Sequence, residues 1–119
     1  MTKFIYLASP FSHKSKQIEQ SREDSINLIA SKLKKDNPDC VFFLPITQSC
    51  VLRRFEPSLG GSFENWKKDD LFIIREKADA LWVVMLDGWK ESIGIQAEIK
   101  CAKRHKKPIL YIEVELANA

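Results

Sequence analysis

The chain has 119 residues, 45% apolar and 29% charged, with a net charge of +3, which is one domain's worth of ordinary globular sequence. No apolar run reaches the roughly 20 residues that span a bilayer. Three scattered cysteines (Cys40, Cys50, Cys101) without CxxC spacing and two distant histidines (His13, His105) argue against a disulfide framework or a zinc site, and suit a reducing cytoplasm.

Residues 1–119 are expected to form a single domain. Met1 to Pro10 carries a short apolar run, too short for the h-region of a secretion signal. Its Phe4–Ala8 core, stopped by Ser9-Pro10, reads as the first strand. A helix follows with Ile26, Ile29, Ala30 and Leu33 on one stripe, ended by Asp36-Asn37-Pro38-Asp39. Val41 to Leu44 reads as the second strand, closed by Pro45. Residues 46–62 show no clear period, contain the turn Gly60-Gly61, and are expected to be a loop over a site.

Ser62 is placed to cap a helix from Phe63 to Ala78. Ala80 to Leu86 is a third, wholly apolar strand, Ser92 to His105 another helix, and Pro108 to Val114 the last strand. The basic stretch from Lys100 to Lys107 falls at a helix C-terminus, where cations are favoured, so it gives little support to a nucleic-acid surface.

Continuous apolar strands alternating with helices predict an α/β, three-layer, flavodoxin-like or Rossmann-like fold. Its central sheet is mainly parallel, with four to five strands. Ligands in such sheets bind beyond the C-terminal strand ends. That nominates Ser9 to Lys14, Pro45 to Ser49 and Asp87 to Ser92.

Helical phase, at about 100° per residue, gives the sharpest signal. On the helix from Ser92 to His105, Glu98 falls inside the apolar arc of Ile95, Cys101 and Ala102, away from Gln96, Lys100, Lys103 and Arg104. Gly94 lies one turn earlier on the same side and leaves room that a ligand can use. On the helix from Phe63, Asp69 points away while Asp70 enters the stripe of Trp66, Ile73 and Ile74. A carboxylate rarely faces a core unpaired. Either each acid meets a cation (Arg53, Arg54 or Arg75 for Asp70), or the two divide the labour of nucleophile and general acid, as glycoside cleavage requires.

The loops add binding candidates. Ser9-Pro10-Phe11-Ser12-His13-Lys14 offers hydroxyls and N–H groups at a helix start, suited to an anion or simply to a capped turn. Neither GxGxxG nor GxxxxGK[ST] occurs, which counts against a dinucleotide cofactor and a P-loop hydrolase. In Asp87-Gly88-Trp89, Gly88 permits a turn, and Trp89 offers a ring to stack on a base or sugar, to cover the sheet edge, or to fill a subunit contact. Ser92 is an N-cap whose hydroxyl also suits a phosphate or a sugar.

Five segments together resemble the nucleoside 2-deoxyribosyltransferase-like superfamily, in particular its branch of short DUF1937-type proteins. They are Tyr6 to Ser12, Trp66 with Asp70-Leu71, Ala78 to Val83, Asp87 to Ile99, and Lys107 to Ile109. The resemblance implies that Glu98 is the nucleophile at the anomeric carbon, that Asp70 assists the leaving base or positions the sugar, and that Tyr6 helps orient Glu98 or the sugar. It also implies a nucleoside or nucleotide substrate, no metal or redox cofactor, and a homo-oligomer, a dimer or larger, as is common in the superfamily, with neighbouring subunits completing the site. Ser92 stands where the transferases proper carry an aspartate, and looks more like the branch that hydrolyses nucleoside 5'-monophosphates. The spacing to Asp79 leaves Asp69 and Asp70 both as matches, and phase favours Asp70. The alternative is a non-catalytic nucleotide-binding module on the same scaffold. A nucleic-acid-associated protein, which would bind in a salt-dependent way, is the weaker one.

Overall fold

The computed structural model describes residues 2–114; the chain ends at 1 and 115–119, which the single-domain expectation also covered, lie outside the described residues. Strand β1 (Lys3–Ala8) leads to α1 (Lys16–Asp36), β2 (Cys40–Phe43), α2 (Pro45–Phe55), a 3₁₀ turn (Pro57–Leu59), α3 (Phe63–Glu76), β3 (Ala80–Val84), α4 (Ile93–Arg104) and β4 (Ile109–Ile112). The sheet has the order β2-β1-β3-β4 and every pairing is parallel. This is the expected α/β flavodoxin-like arrangement, with four strands among the described residues.

Both faces of the sheet are covered, which is why the central strands carry apolar residues at successive positions. Tyr6, Ala8, Leu81 and Val83 face α3 and α4 and pack with Ile74, Ile95, Ile99 and Ala102. Leu7 and Val84 point the other way, towards Ile26 and Ala30 of α1. The order places β1 and β3 at the centre, so the segments leaving them lie side by side at the C-terminal edge.

One expectation is corrected here. Residues 46–62 are not one continuous loop: Pro45–Phe55 form a helix, with Pro45 at a first-turn position where its missing N–H costs nothing, and only the short stretch from 56 to 62, with its 3₁₀ turn, joins it to α3. Only Pro45, Ser49 and Cys50 of α2 are buried, so it shows no long apolar stripe. It is fastened to α1 by polar contacts instead. Thr47 donates a hydrogen bond to Asn27, and Arg54 Nη2 reaches Glu23 Oε2 at 2.6 Å.

Candidate active site

The site grows from the C-terminal edge of β1. Tyr6 lies on the α3/α4 face of that strand, fully buried, and its hydroxyl donates to Glu98 Oε2. Glu98 sits on the second turn of α4 between the buried Ile95, Ile99 and Ala102, and is itself 5% exposed. Asp70 of α3 is 7% exposed, while Asp69 is exposed to solvent, as helical phase requires. Neither Asp70 nor Glu98 belongs to any ion pair among the described residues. The three cations weighed as partners for Asp70 are placed otherwise. Arg54 pairs with Glu23, Arg75 with Glu76, and Arg53 lies over the Phe11 ring at 5.3 Å.

What the two acids face is a cavity of about 740 Å³, within the range typical of small-molecule sites. Ser9, Pro10, Phe11, Ser12 and His13 after β1, Pro45, Ile46 and Ser49 of α2, and Asp87 and Gly88 after β3 line it. Phe63, Trp66 and Asp70 come from α3, and Ser92, Gly94, Ile95 and Glu98 from the start of α4. All three segments nominated beyond the strand ends therefore contribute.

Burial pushes the Glu98 carboxyl up to about 8; the Tyr6 hydrogen bond works against that shift, and the charge of Asp70 adds to it. Burial likewise pushes Asp70 up to about 7, with the charge of Asp69 adding to it and the Tyr6 hydroxyl opposing. Tyr6 is itself raised, by burial first and then by the charges of Glu98 and Asp70. Two carboxyls held near neutrality at one cavity wall are poised to exchange protons with a ligand. Burial also raises Cys50 and Cys101, so neither is an activated thiolate. Among the described residues, no three His, Cys, Asp or Glu side chains cluster as a metal would need, and no helix is long and apolar enough to cross a membrane.

Several candidates take more specific roles. Ser92 caps α4: its hydroxyl accepts from Ile95 N–H at 3.2 Å. Gly94 lines the cavity beside Glu98 and also lies against Phe63. A Cβ there would lie 3.2 Å from Phe63 Cδ1, so the glycine lets α3 and α4 approach. Trp89 is not among the cavity residues; its ring packs against Tyr111 at 5.7 Å, covering the β4 side of the sheet. Gly88 has φ +91°, and a Cβ on it would sit 2.4 Å from Arg22 Nη2.

Arg22 is the residue that the sequence did not reveal. Its guanidinium donates to the carbonyls of Phe11 (3.2 Å), Ser12 (3.0 Å) and Asp87 (3.0 Å), tying the loops after β1 and β3 together at the cavity wall. It sits on α1 without any anomaly of phase, so only its partners betray it. Phe63 and Trp66 add aromatic surface to the same cavity. The Trp66 indole N–H is anchored on the Gly60 carbonyl at 2.9 Å, which fixes the ring.

A family model with the description "Domain of unknown function (DUF1937)" matches residues 3–114, a span that holds every residue of this site. A comparison with curated proteins finds no match.

Proposed function

The chain belongs to the DUF1937 family, and we propose that it cleaves or transfers the N-glycosidic bond of a (deoxy)nucleoside or nucleoside 5'-monophosphate, in the manner of the nucleoside 2-deoxyribosyltransferase-like superfamily. One observation carries the proposal: Glu98 and Asp70 are buried at one cavity wall, are bridged to neither lysine nor arginine among the described residues, and are both held near neutrality. Structural acids in a core are paired, as Glu23 is with Arg54.

In this mechanism an oxygen of ionised Glu98 attacks C1' and forms a glycosyl ester as the bond from C1' to the base nitrogen breaks. Asp70 gives its proton to the departing base. Water, or the nitrogen of a second base, then attacks C1' and breaks the ester, freeing Glu98, and its proton passes to Asp70. Tyr6 holds Oε2 of Glu98, leaving the other oxygen to attack. The positive charge that develops on the sugar as the base departs stabilises the ionised form of Glu98 in the transition state. Phe63 and Trp66 supply flat apolar surface for a base.

A binding module without turnover is the second reading. What favours it is that burial keeps Glu98 protonated at neutral pH, a hydrogen-bonding group rather than a nucleophile. The two separate in one experiment. The protein and its Glu98→Gln variant are incubated with ribo- and deoxyribonucleosides and their 5'-monophosphates, with and without a second free base, and released or exchanged base is measured. Release that the variant loses supports catalysis. Binding to both proteins with release from neither supports the module.

A further inference from the structure

The proposed chemistry leaves a proton in the wrong place. Burial pushes Glu98 up to about 8 and Asp70 to about 7, so a single proton shared by the pair rests mainly on Glu98. Attack at C1' needs the reverse, with Glu98 ionised and Asp70 protonated. Glu98 is 5% exposed, and Tyr6 is its only hydrogen-bond partner among the described residues. A ligand in the cavity covers it further, so its proton needs an exit that does not run through solvent.

Tyr6 stands on such an exit. It packs with Ile74 of α3 and with Ile95, Ile99 and Ala102 of α4, so it lies where the two helices meet the sheet. Asp70 is buried one turn before Ile74 on α3, and Glu98 is buried between Ile95 and Ala102 on α4. The Tyr6 hydroxyl is hydrogen-bonded to Glu98 Oε2 and reaches Asp70 closely enough to oppose the rise in its proton affinity. Burial and both carboxylate charges keep Tyr6 a phenol, which can accept one hydrogen while donating another. Phe43 of β2 closes on the ring, with centroids 5.5 Å apart. The other titratable groups in electrostatic reach of the two acids are Asp69 of α3 and Cys101 of α4, neither of them a cation.

From this arrangement we infer that Tyr6 is a proton relay between the two acids. Resting on the glycosidic function proposed above, its hydroxyl oxygen takes the hydrogen of Glu98 Oε2 while its own hydrogen passes to a carboxylate oxygen of Asp70. One O–H bond breaks at Glu98 and one at Tyr6; one forms at Tyr6 and one at Asp70. The negative charge moves from Asp70 to Glu98, and Tyr6 ends neutral, donating to Oε2 as in the structure. The other oxygen of Glu98 is then free to attack, and Asp70 holds the proton for the base. Asp70 thereby gains a second duty, receiving the proton of the nucleophile, which mere orientation of Glu98 by Tyr6 does not require.

A leaving base that needs no proton separates the two duties. Purine nucleosides and 5'-monophosphates methylated on the five-membered ring of the base already carry its positive charge and release it neutral. Their base release is followed in single turnovers at pH 7 and pH 9 for the parent, Asp70→Asn and Tyr6→Phe. At pH 7 both variants are expected to be at least about tenfold slower than the parent, because the Glu98 proton lacks an acceptor or a path. At pH 9 Glu98 ionises unaided, and Asp70→Asn is expected to regain most of the parental rate. Asp70→Asn as fast as the parent at pH 7, or equally slowed at both pH values, would overturn the relay. Carboxyl titrations by NMR test the path without substrate. Tyr6→Phe is expected to raise the midpoints of both Glu98 and Asp70, and a rise at Glu98 alone would also overturn it. If both midpoints rise but no substrate ever loses its base, the glycosidic function falls and the proton path stands. If the parent releases base and Asp70→Asn matches it at pH 7, the reverse holds.

Discussion

A carboxyl removed from water is either paired with a cation or kept protonated, and this chain does both. Glu23, Asp70 and Glu98 all lie on buried stripes of helices. Glu23 has Arg54 and shows what a structural acid needs; the other two have no such partner among the described residues. Helical phase found Asp70 and Glu98 but cannot tell a paired acid from an unpaired one, because the partner arrives from a distant element. The proposed chemistry needs one carboxyl ionised and one protonated. With Asp70 near 7 and Glu98 near 8, the pair carries one proton between those values, mainly on Glu98; the reactive minority form, with the proton on Asp70, rises and falls with it, so the rate against pH is expected to be a bell with its maximum there. Below about 7 both hold protons and the nucleophile is lost; above about 8 both are ionised and the acid is lost. A rate that is flat from pH 5 to 9 contradicts this.

The same protonation bears on stability. Between 4.5, the ordinary value for glutamate, and about 8, folded Glu98 keeps a proton that the unfolded chain has released. Stability therefore falls as pH rises through that window, and the full cost is present above it. Glu98→Gln removes the cost and keeps an acceptor for Tyr6. By thermal unfolding, the variant is expected to melt higher than the parent at pH 8, by on the order of 10 °C, and to match it near pH 4. Tyr6→Phe deletes the donor that favours ionised Glu98. It is expected to lower kcat by about ten- to a hundredfold and to move the upper limb of the bell to higher pH. A merely structural role for Tyr6 would leave that limb in place.

At the level of elements, the strands and helices with a long apolar run or stripe were legible to within a residue or two, and Ser62 and Ser92 marked their helix starts correctly. Helix α2 was not legible. Its buried residues are few, its first residue is a proline read as a strand stop, and much of its fastening is polar and comes from α1. Phase placed Gly94 on the side of Glu98, where it lines the cavity, but describes one helix and so gave no sign that Phe63 closes on it from another. Helix ends and turns carry their own predictions. Ser92→Ala is expected to cost about 1 kcal/mol through loss of the α4 cap. Gly88→Ala forces an L side chain to φ +91° against Arg22, and is expected to cost about 1–3 kcal/mol and to loosen the loops that Arg22 joins. Denaturant unfolding measures both. Equal stability of Gly88→Ala and the parent would mean that the Arg22 latch carries no strain-sensitive contact.

For the whole molecule, the parallel order β2-β1-β3-β4 gathers the exits of three strands and the starts of three helices at one edge, and the cavity is their common ground. Alternation of strand and helix made that edge legible in advance, as the general rule for ligand sites in open α/β sheets predicts. Which side chains meet across it depended on three-dimensional neighbours such as Arg22 and Phe63. The central claim is that Glu98 bonds to the anomeric carbon. Its most direct test is mass spectrometry of the protein quenched during reaction with 2'-fluoro nucleoside 5'-monophosphates, whose electron-poor sugars slow the breakdown of a glycosyl ester. The account predicts one added sugar phosphate, mapped to the peptide at Glu98 and absent in Glu98→Gln. Base release with no adduct, or with the sugar on another residue, would contradict it.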